Sequence, residues 1–281
     1  MKHIIIHTLK DSLPLLPFLF IAFLIIESIE HKFSKKSKEI ISKSGKFGPL
    51  FGSILGCFPQ CGFSVMATNL YVTRIISLGT LIAVYLSTSD EMLPILLSEQ
   101  VAFSKIIKLL LVKFIIGLIW GFIIDLVLFK NKKKVNESFD ICDDEHCHCD
   151  KGIFKSSLIH TVKTFLFILL VTFIINLIIY YIGEDKLSML LQGNNILTPF
   201  ISSLIGLIPN CASSVILTEL FINNIISTGS LISGLLTGSG VAILVLFKTN
   251  NNLKDSFKIL ILCYSIGVLS GLILNILGFT I

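Results

Sequence analysis

The sequence predicts an all-α, polytopic membrane protein made of two inverted-topology repeats with broken, re-entrant helices. Three observations predict it. Long apolar runs alternate with short charged stretches. A 34-residue segment recurs 150 residues further along, and equivalent loops of the two copies differ in charge character.

The apolar runs come first. Of 281 residues, 53% are hydrophobic and only 15% are charged, with a mean hydropathy of +0.88. Runs at 13–29, 106–129, 158–182 and 259–281 are near or above the ~18–20 residues that span a hydrocarbon core. Four such runs exclude a soluble protein. The first is too long for a signal-peptide core, carries Pro14 and Pro17, and lacks a small-residue cleavage site, so it is expected to be a retained helix. The formal charge of +5 does not indicate nucleic acid, because most Lys lies beside apolar segments, where it sets orientation.

The repeat is read by sliding the chain 150 residues. Positions 49–82 and 199–232 share 15 identities in 34 without a gap, among them Pro49/Pro199, Gly56/Gly206, Pro59/Pro209, Cys61/Cys211, Ser64/Ser214, Thr68/Thr218 and Gly79/Gly229. Gly117 and Gly121 align with Gly267 and Gly271, spacings that let helices approach closely. Asp125 aligns with Asn275, and His7-Thr8-x-Lys10 resembles His160-Thr161-x-Lys163. The expected organisation is a first repeat over 1–129, a linker over 130–155 and an inverted second repeat over 156–281.

Charge orients the copies. Segment 31–46 holds six Lys, whereas its counterpart 183–196 holds Glu184, Asp185 and one Lys. Segment 88–105 carries Asp90, Glu91 and Glu99, whereas 248–258 carries Lys248, Lys254 and Lys258. By the positive-inside rule the equivalent loops lie on opposite sides of a cell inner (cytoplasmic) membrane. The Lys-rich linker is expected in the cytoplasm and both termini outside.

Each copy also contains short, interrupted segments. Stretches 47–58 and 62–73 would each reach about halfway across the core at ~1.5 Å per residue. Gly56-Cys57-Phe58-Pro59-Gln60-Cys61-Gly62 separates them, and Gly206-Leu207-Ile208-Pro209-Asn210-Cys211 stands in the second copy. Pro removes a backbone donor and Gly frees the dihedrals, so each pair reads as a re-entrant hairpin with its tip at mid-membrane. Two further breaks follow, Ser87-Thr88-Ser89-Asp90-Glu91 and Thr237-Gly238-Ser239-Gly240. Irregular backbone at that depth belongs in protein or beside a watery cavity, and half-helix ends there bind ions and substrates. Pro-kinked helices without a site are the plainer alternative.

The tips carry soft chemistry. Cys57, Cys61 and Cys211 converge if the tips meet, and thiolates select soft metals and metalloids. Gln60 and Asn210 share one repeat position. A single Cys is otherwise ordinary packing material. Carboxylates offer a competing chemistry: Asp90, Glu91 and Glu219 lie in apolar stretches, where ionisable groups are costly. They could relay protons, bind a harder ion, or simply sit near surfaces and helix ends. In the linker, Cys142, His146, Cys147, His148 and Cys149 stand among four carboxylates. That is the candidate site for a bound metal ion, although the spacing fits no zinc finger. No phosphate loop, nucleophile triad or zinc-protease motif supports ATP drive or proteolysis.

The duplicated Gly-x-x-Pro-[Gln/Asn]-Cys tip, followed by Ser-Val and Thr, together with the Cys/His-rich linker, resembles the bacterial ten-transmembrane heavy-metal exporter family. Its members are named arsenic efflux proteins or manganese transporters. The resemblance covers nearly the whole chain and implies a permease exporting a metal or metalloid; it does not choose between arsenic and manganese. Cys57 has Leu207 as its counterpart, which favours a symmetric Cys61/Cys211 pair over a triad.

The expected function is secondary-active, alternating-access export of a thiophilic, arsenite- or antimonite-like species, without enzymatic activity. Cys57, Pro59, Gln60, Cys61, Ser64, Pro209, Asn210, Cys211 and Ser214 would bind substrate, and Asp90, Glu91 or Glu219 would couple protons. One alternative is an exporter of Mn(II) or another divalent metal using oxygen ligands. A second is a membrane thiol oxidoreductase using Cys57 and Cys61. No cofactor is required. The expected partners are the metal or metalloid ion and the lipid bilayer, with a homodimer as the candidate assembly and nucleic acid excluded.

Overall fold

A computed structural model describes residues 47–58, 61–89, 92–129, 197–209 and 211–280, with single positions within 13–24 and 154–177. Every regular element among them is helical. The chain is an all-α, polytopic membrane protein. The helices are α1 Gly48–Gly56, α2 Cys61–Val72, α3 Leu78–Ser87, α4 Met92–Ser98 and α5 Phe103–Phe129, then α6 Thr198–Gly206, α7 Cys211–Ile222, α8 Thr228–Thr237, α9 Ala242–Thr249 and α10 Leu253–Ile276. Each helix of the second set begins 150 residues after its counterpart in the first.

Local chemistry explains these bounds. α1 and α6 start on Pro49 and Pro199, whose fixed φ suits the first turn and whose missing N–H is no loss there. The Ser77 and Ser227 side chains cap α3 and α8 by accepting from the Thr80 and Ser230 amides. Two residues past the ends of α2 and α7, Arg74 and Asn224 take φ 61° and 57°, and the Ile75 and Ile225 amides bond back to the Leu70 and Leu220 carbonyls.

α3 and α8 are apolar and form the buried centre, packed against each other. α1 and α5 pack on α3, and α6 and α10 pack on α8. Gly121 and Gly271 allow this, with α5 and α10 meeting the carbonyls of Gly79 and Gly229. The outer faces of α5 and α10 expose Leu111, Ile115, Ile119, Ile261, Leu269 and Ile273. Such stripes would be a liability in water and are the expected surface toward lipid. Phe103–Val127 and Leu253–Ile276 are long and apolar enough to cross a membrane; so is Thr228–Thr249, although it is broken after Thr237. The predicted runs 13–29 and 158–182 lie largely outside the described residues.

The halves interlock reciprocally. α2 packs on α9 while α7 packs on α4, and α3 packs on α10 while α8 packs on α5. Direction along α5 and α10 follows from two sets of contacts. Val101 and Lys105, at the start of α5, line one cavity with Asn275, Gly278 and Thr280 at the end of α10. On the other side, Asp125 near the end of α5 accepts from Ser77 Oγ at 2.6 Å and the Gly79 amide at 2.9 Å. There, Tyr71 at the end of α2 donates to Asp255 at the start of α10, at 2.8 Å. The start of α5 and the end of α10 thus share one face.

Candidate functional site

The short helices begin and end within two residues of the predicted stretches. α1 is nine residues, about 13 Å long, and α2 is twelve, about 18 Å. The tip between them is stiffened from both sides, since the Phe58 and Phe63 rings meet at 5.7 Å. Glycine seats each tip on the end of the central helix. A Cβ on Gly56 would collide with Ser87 Oγ and the Val84 carbonyl. On Gly206 it would collide with the Gly234 carbonyl and Thr237 Oγ1. The ends of α1 and α6 therefore lie against the ends of α3 and α8.

Hydroxyls line both breaks and satisfy backbone carbonyls that the helix ends leave over. Ser87 donates to the Ala83 carbonyl at 2.7 Å, Thr88 to that of Val84 at 2.8 Å, and Ser89 to that of Ser87 at 3.0 Å. In the second half Thr237 donates to the Gly234 carbonyl at 2.8 Å and to the Ser203 carbonyl at 3.0 Å, tying α8 to α6.

One residue at this junction was missed in the sequence. Lys113, ten residues into α5, is 0% exposed, and its ammonium donates to the Thr88 carbonyl. A Lys inside an apolar helix was a legible signal, because ionisable groups at membrane depth are rare and usually functional.

The remaining candidates divide as follows. Cys57 is half-buried at the first tip and Pro209 half-buried at the second; Ser64 is buried and Ser214 half-buried, one turn into α2 and α7. Thr68 and Thr218 each donate to the carbonyl of that Ser, at 2.8 and 2.7 Å. Glu219 is exposed on α7, about 12 Å along the helix from Cys211. Its counterpart Asn69 is buried, with neither amide atom hydrogen-bonded. Ser53, on the α1 face that meets Gly117 of α5, is likewise buried with its hydroxyl unpartnered. Pro59, Gln60, Asn210, Asp90, Glu91, the Cys61 and Cys211 side chains, and the linker set Cys142, His146, Cys147, His148 and Cys149 lie outside the described residues.

A second feature connects the halves. Tyr71, 5% exposed, bonds Asp255 across the interface, Asn250 donates to the same carboxylate at 3.3 Å, and the Arg74 guanidinium lies 5.5 Å from the Tyr71 ring centre. The equivalent positions in the other half are Phe221, Lys105, Gln100 and Asn224. Phe221, Lys105 and Asn224 line the open cavity of about 440 Å³. One set of repeat-related positions makes a hydrogen-bonded contact between the halves, and its mate lines a cavity.

No curated protein and no solved structure matches the chain. One family model does, over residues 1–185 and 161–280, and its description reads "Putative, 10TM heavy-metal exporter". With apolar membrane helices built around broken hairpins, and a family match spanning nearly its whole length, the chain belongs to the ten-transmembrane heavy-metal exporter family.

Proposed function

We propose that this multi-pass protein is a secondary-active permease of the inner membrane that exports a thiophilic metalloid or metal, arsenite- or antimonite-like, by alternating access. The observation that carries it is the close packing of Gly56 and Gly206, just before the two Pro-[Gln/Asn]-Cys sequences, on the ends of the two most buried helices. Cys61 and Cys211 serve as ligands, with Cys57 accessory. Gln60, Asn210, Ser64 and Ser214 orient the substrate beside Pro59 and Pro209. Asp90, Glu91 or Glu219 couples protons, and the Cys/His linker captures metal in the cytoplasm.

The opposed directions of α5 and α10 support inversion of the second repeat. The contrast between the Tyr71–Asp255 clasp and its open mate supports alternating access. With positive loops inside, the clasp closes the cytoplasmic face and the cavity opens outward. The test is tolerance in an efflux-deficient host. Cys61→Ser with Cys211→Ser is expected to abolish arsenite and antimonite tolerance. Intact tolerance would sink the thiol mechanism, and manganese sensitivity relieved by the wild type but not by Glu219→Gln would replace it with oxygen ligation.

A further inference from the structure

The two seams at which the halves meet differ in where a negative charge comes from. In the first, the chain supplies it. Asp255, at the start of α10, accepts from Tyr71 of α2 at 2.8 Å and from Asn250 at 3.3 Å. In the second, the position equivalent to Asp255 is Lys105, that of Tyr71 is Phe221 and that of Asp125 is Asn275. Both carboxylates are replaced, and a cation stands where one of them was.

The second seam holds the cavity of about 440 Å³, a volume within the range of ligand sites. Among the described residues that line it, Lys105 alone is charged. Glu99 and Glu219 stand two residues before Val101 and Phe221, but they are exposed and outside the lining. Asn224, Thr228 and Thr280 add side chains able to donate hydrogen bonds. Val101 and Phe221 belong to the apolar part of the wall. A free inorganic anion would use the donors and leave that part wet, whereas an amphiphile uses both.

The position fits a lipid. Lys105 is in the first turn of α5 and Gly278 lies just past α10, at the ends of two membrane-length helices, which is the level of headgroups. Apolar side chains stand exposed beside them. Phe103, Ile107 and Leu111 do so on α5, and Ile273, Ile276 and Leu277 at the end of α10.

We propose that this cavity binds the headgroup of a membrane phospholipid, with Lys105 on its phosphodiester and the acyl chains along α5 and α10. The phosphate gives the second seam the anion that Asp255 gives the first. Basic pockets between membrane helices hold anionic headgroups in this way. The lining also selects among headgroups. A quaternary ammonium finds no carboxylate among the described lining residues, whereas a glycerol headgroup offers hydroxyls to Asn224, Thr228 and Thr280. The site therefore prefers phosphatidylglycerol to phosphatidylcholine. The proposal does not depend on what the protein transports.

The test is photocrosslinking. Full-length protein is reconstituted in phosphatidylcholine vesicles with a trace of phosphatidylglycerol carrying a diazirine on its acyl chain, irradiated, and mapped by peptide mass spectrometry. Crosslinks within 103–111 and 273–277 report the site, and those within 253–261, at the other end of α10, report bulk lipid. The site-to-bulk ratio is expected to be about fivefold above that of the same probe built on phosphatidylcholine, the change one lysine near a membrane surface produces. Lys105→Arg should keep this excess, and Lys105→Gln should remove it. Lys105 is exposed, so neither variant disturbs a packed core. Phe221→Tyr with Lys105→Asp, which returns the anion to the chain, should remove it as well.

Equal ratios for the two probes on the wild type would overturn the proposal, and this arm needs no variant to fold. An excess unchanged in Lys105→Gln would also overturn it. Unlabelled phosphatidylglycerol is expected to compete with the probe and inorganic phosphate to leave it in place. Displacement by inorganic phosphate would overturn the lipid assignment and leave a site for a free anion.

Discussion

The two halves of the molecule agree where helices are held together and differ where they meet each other and the tips. Ser77 and Ser227 cap equivalent helices, and Gly56 and Gly206 seat equivalent tips. Yet Tyr71 faces Phe221 in the repeat, Asp255 faces Lys105, Lys113 faces Cys263, and Cys57 faces Leu207. A duplicated scaffold needs the same caps and close contacts twice. Where the halves meet each other, the unlikeness of the two faces is one of residue chemistry.

The strongest break of the comparison is at the shared element. Gly56→Val and Gly206→Val each force a side chain into backbone carbonyls that cannot retreat. Each is expected to cost several kcal/mol, beyond the ~1–3 typical of core overpacking. Both should abolish metalloid tolerance, with loss of monodisperse protein in size-exclusion chromatography. If only one variant fails, the two tips do not share a seating role.

The clasp is the next largest. A hydrogen bond to a charged group contributes about 1.5–3 kcal/mol, so removing it should shift the balance of open and closed states by about tenfold or more. Tyr71→Phe and Asp255→Asn are therefore expected to raise modification of a cysteine placed at Asn250, measured from the cytoplasmic side of oriented vesicles. The reciprocal change, Phe221→Tyr with Lys105→Asp, should build a clasp across the open cavity and slow labelling of a cysteine at Asn224 from outside. Unchanged labelling in both would remove the clasp from the access cycle.

These features were unequally legible. The helix ends and the breaks were readable because Pro, Gly and Ser act through the local backbone, and the helices start and stop within a few residues of where those residues stand. α2, for instance, begins at Cys61, one residue before the predicted 62–73 stretch. The Tyr71–Asp255 contact was not readable, because 184 residues separate the partners and the repeat mates are Phe and Lys. For Lys113 the sequence shows an ionisable group in an apolar helix but not its place. Nothing in an almost uniformly apolar helix fixes which side faces inward, so its burial follows only once α5 is packed on α3. The internal alignment also pairs it with Cys263, so the repeat does not mark it.

The smallest expected effect compares the two anchors of the central helices. Ser77 Oγ and the Gly79 amide both donate to Asp125, through its two oxygens. In the second half Ser227 Oγ donates to Asn275 Oδ1 at 2.8 Å, and an amide offers only one accepting atom. Asp125→Asn imposes the second half's chemistry on the first. The amide nitrogen then faces a donor, and about 1–3 kcal/mol should be lost. Asn275→Asp removes no acceptor and should change stability by less. Ser77→Ala and Ser227→Ala each lose a cap worth about 1 kcal/mol, but Ser77→Ala also strips a charge-assisted bond and should cost more. Thermal midpoints of the four variants in detergent give the ranking. Equal losses for the two serine variants would mean that the Asp125 carboxylate adds nothing that Asn275 does not, and that the halves differ in energy only at the clasp and the tips.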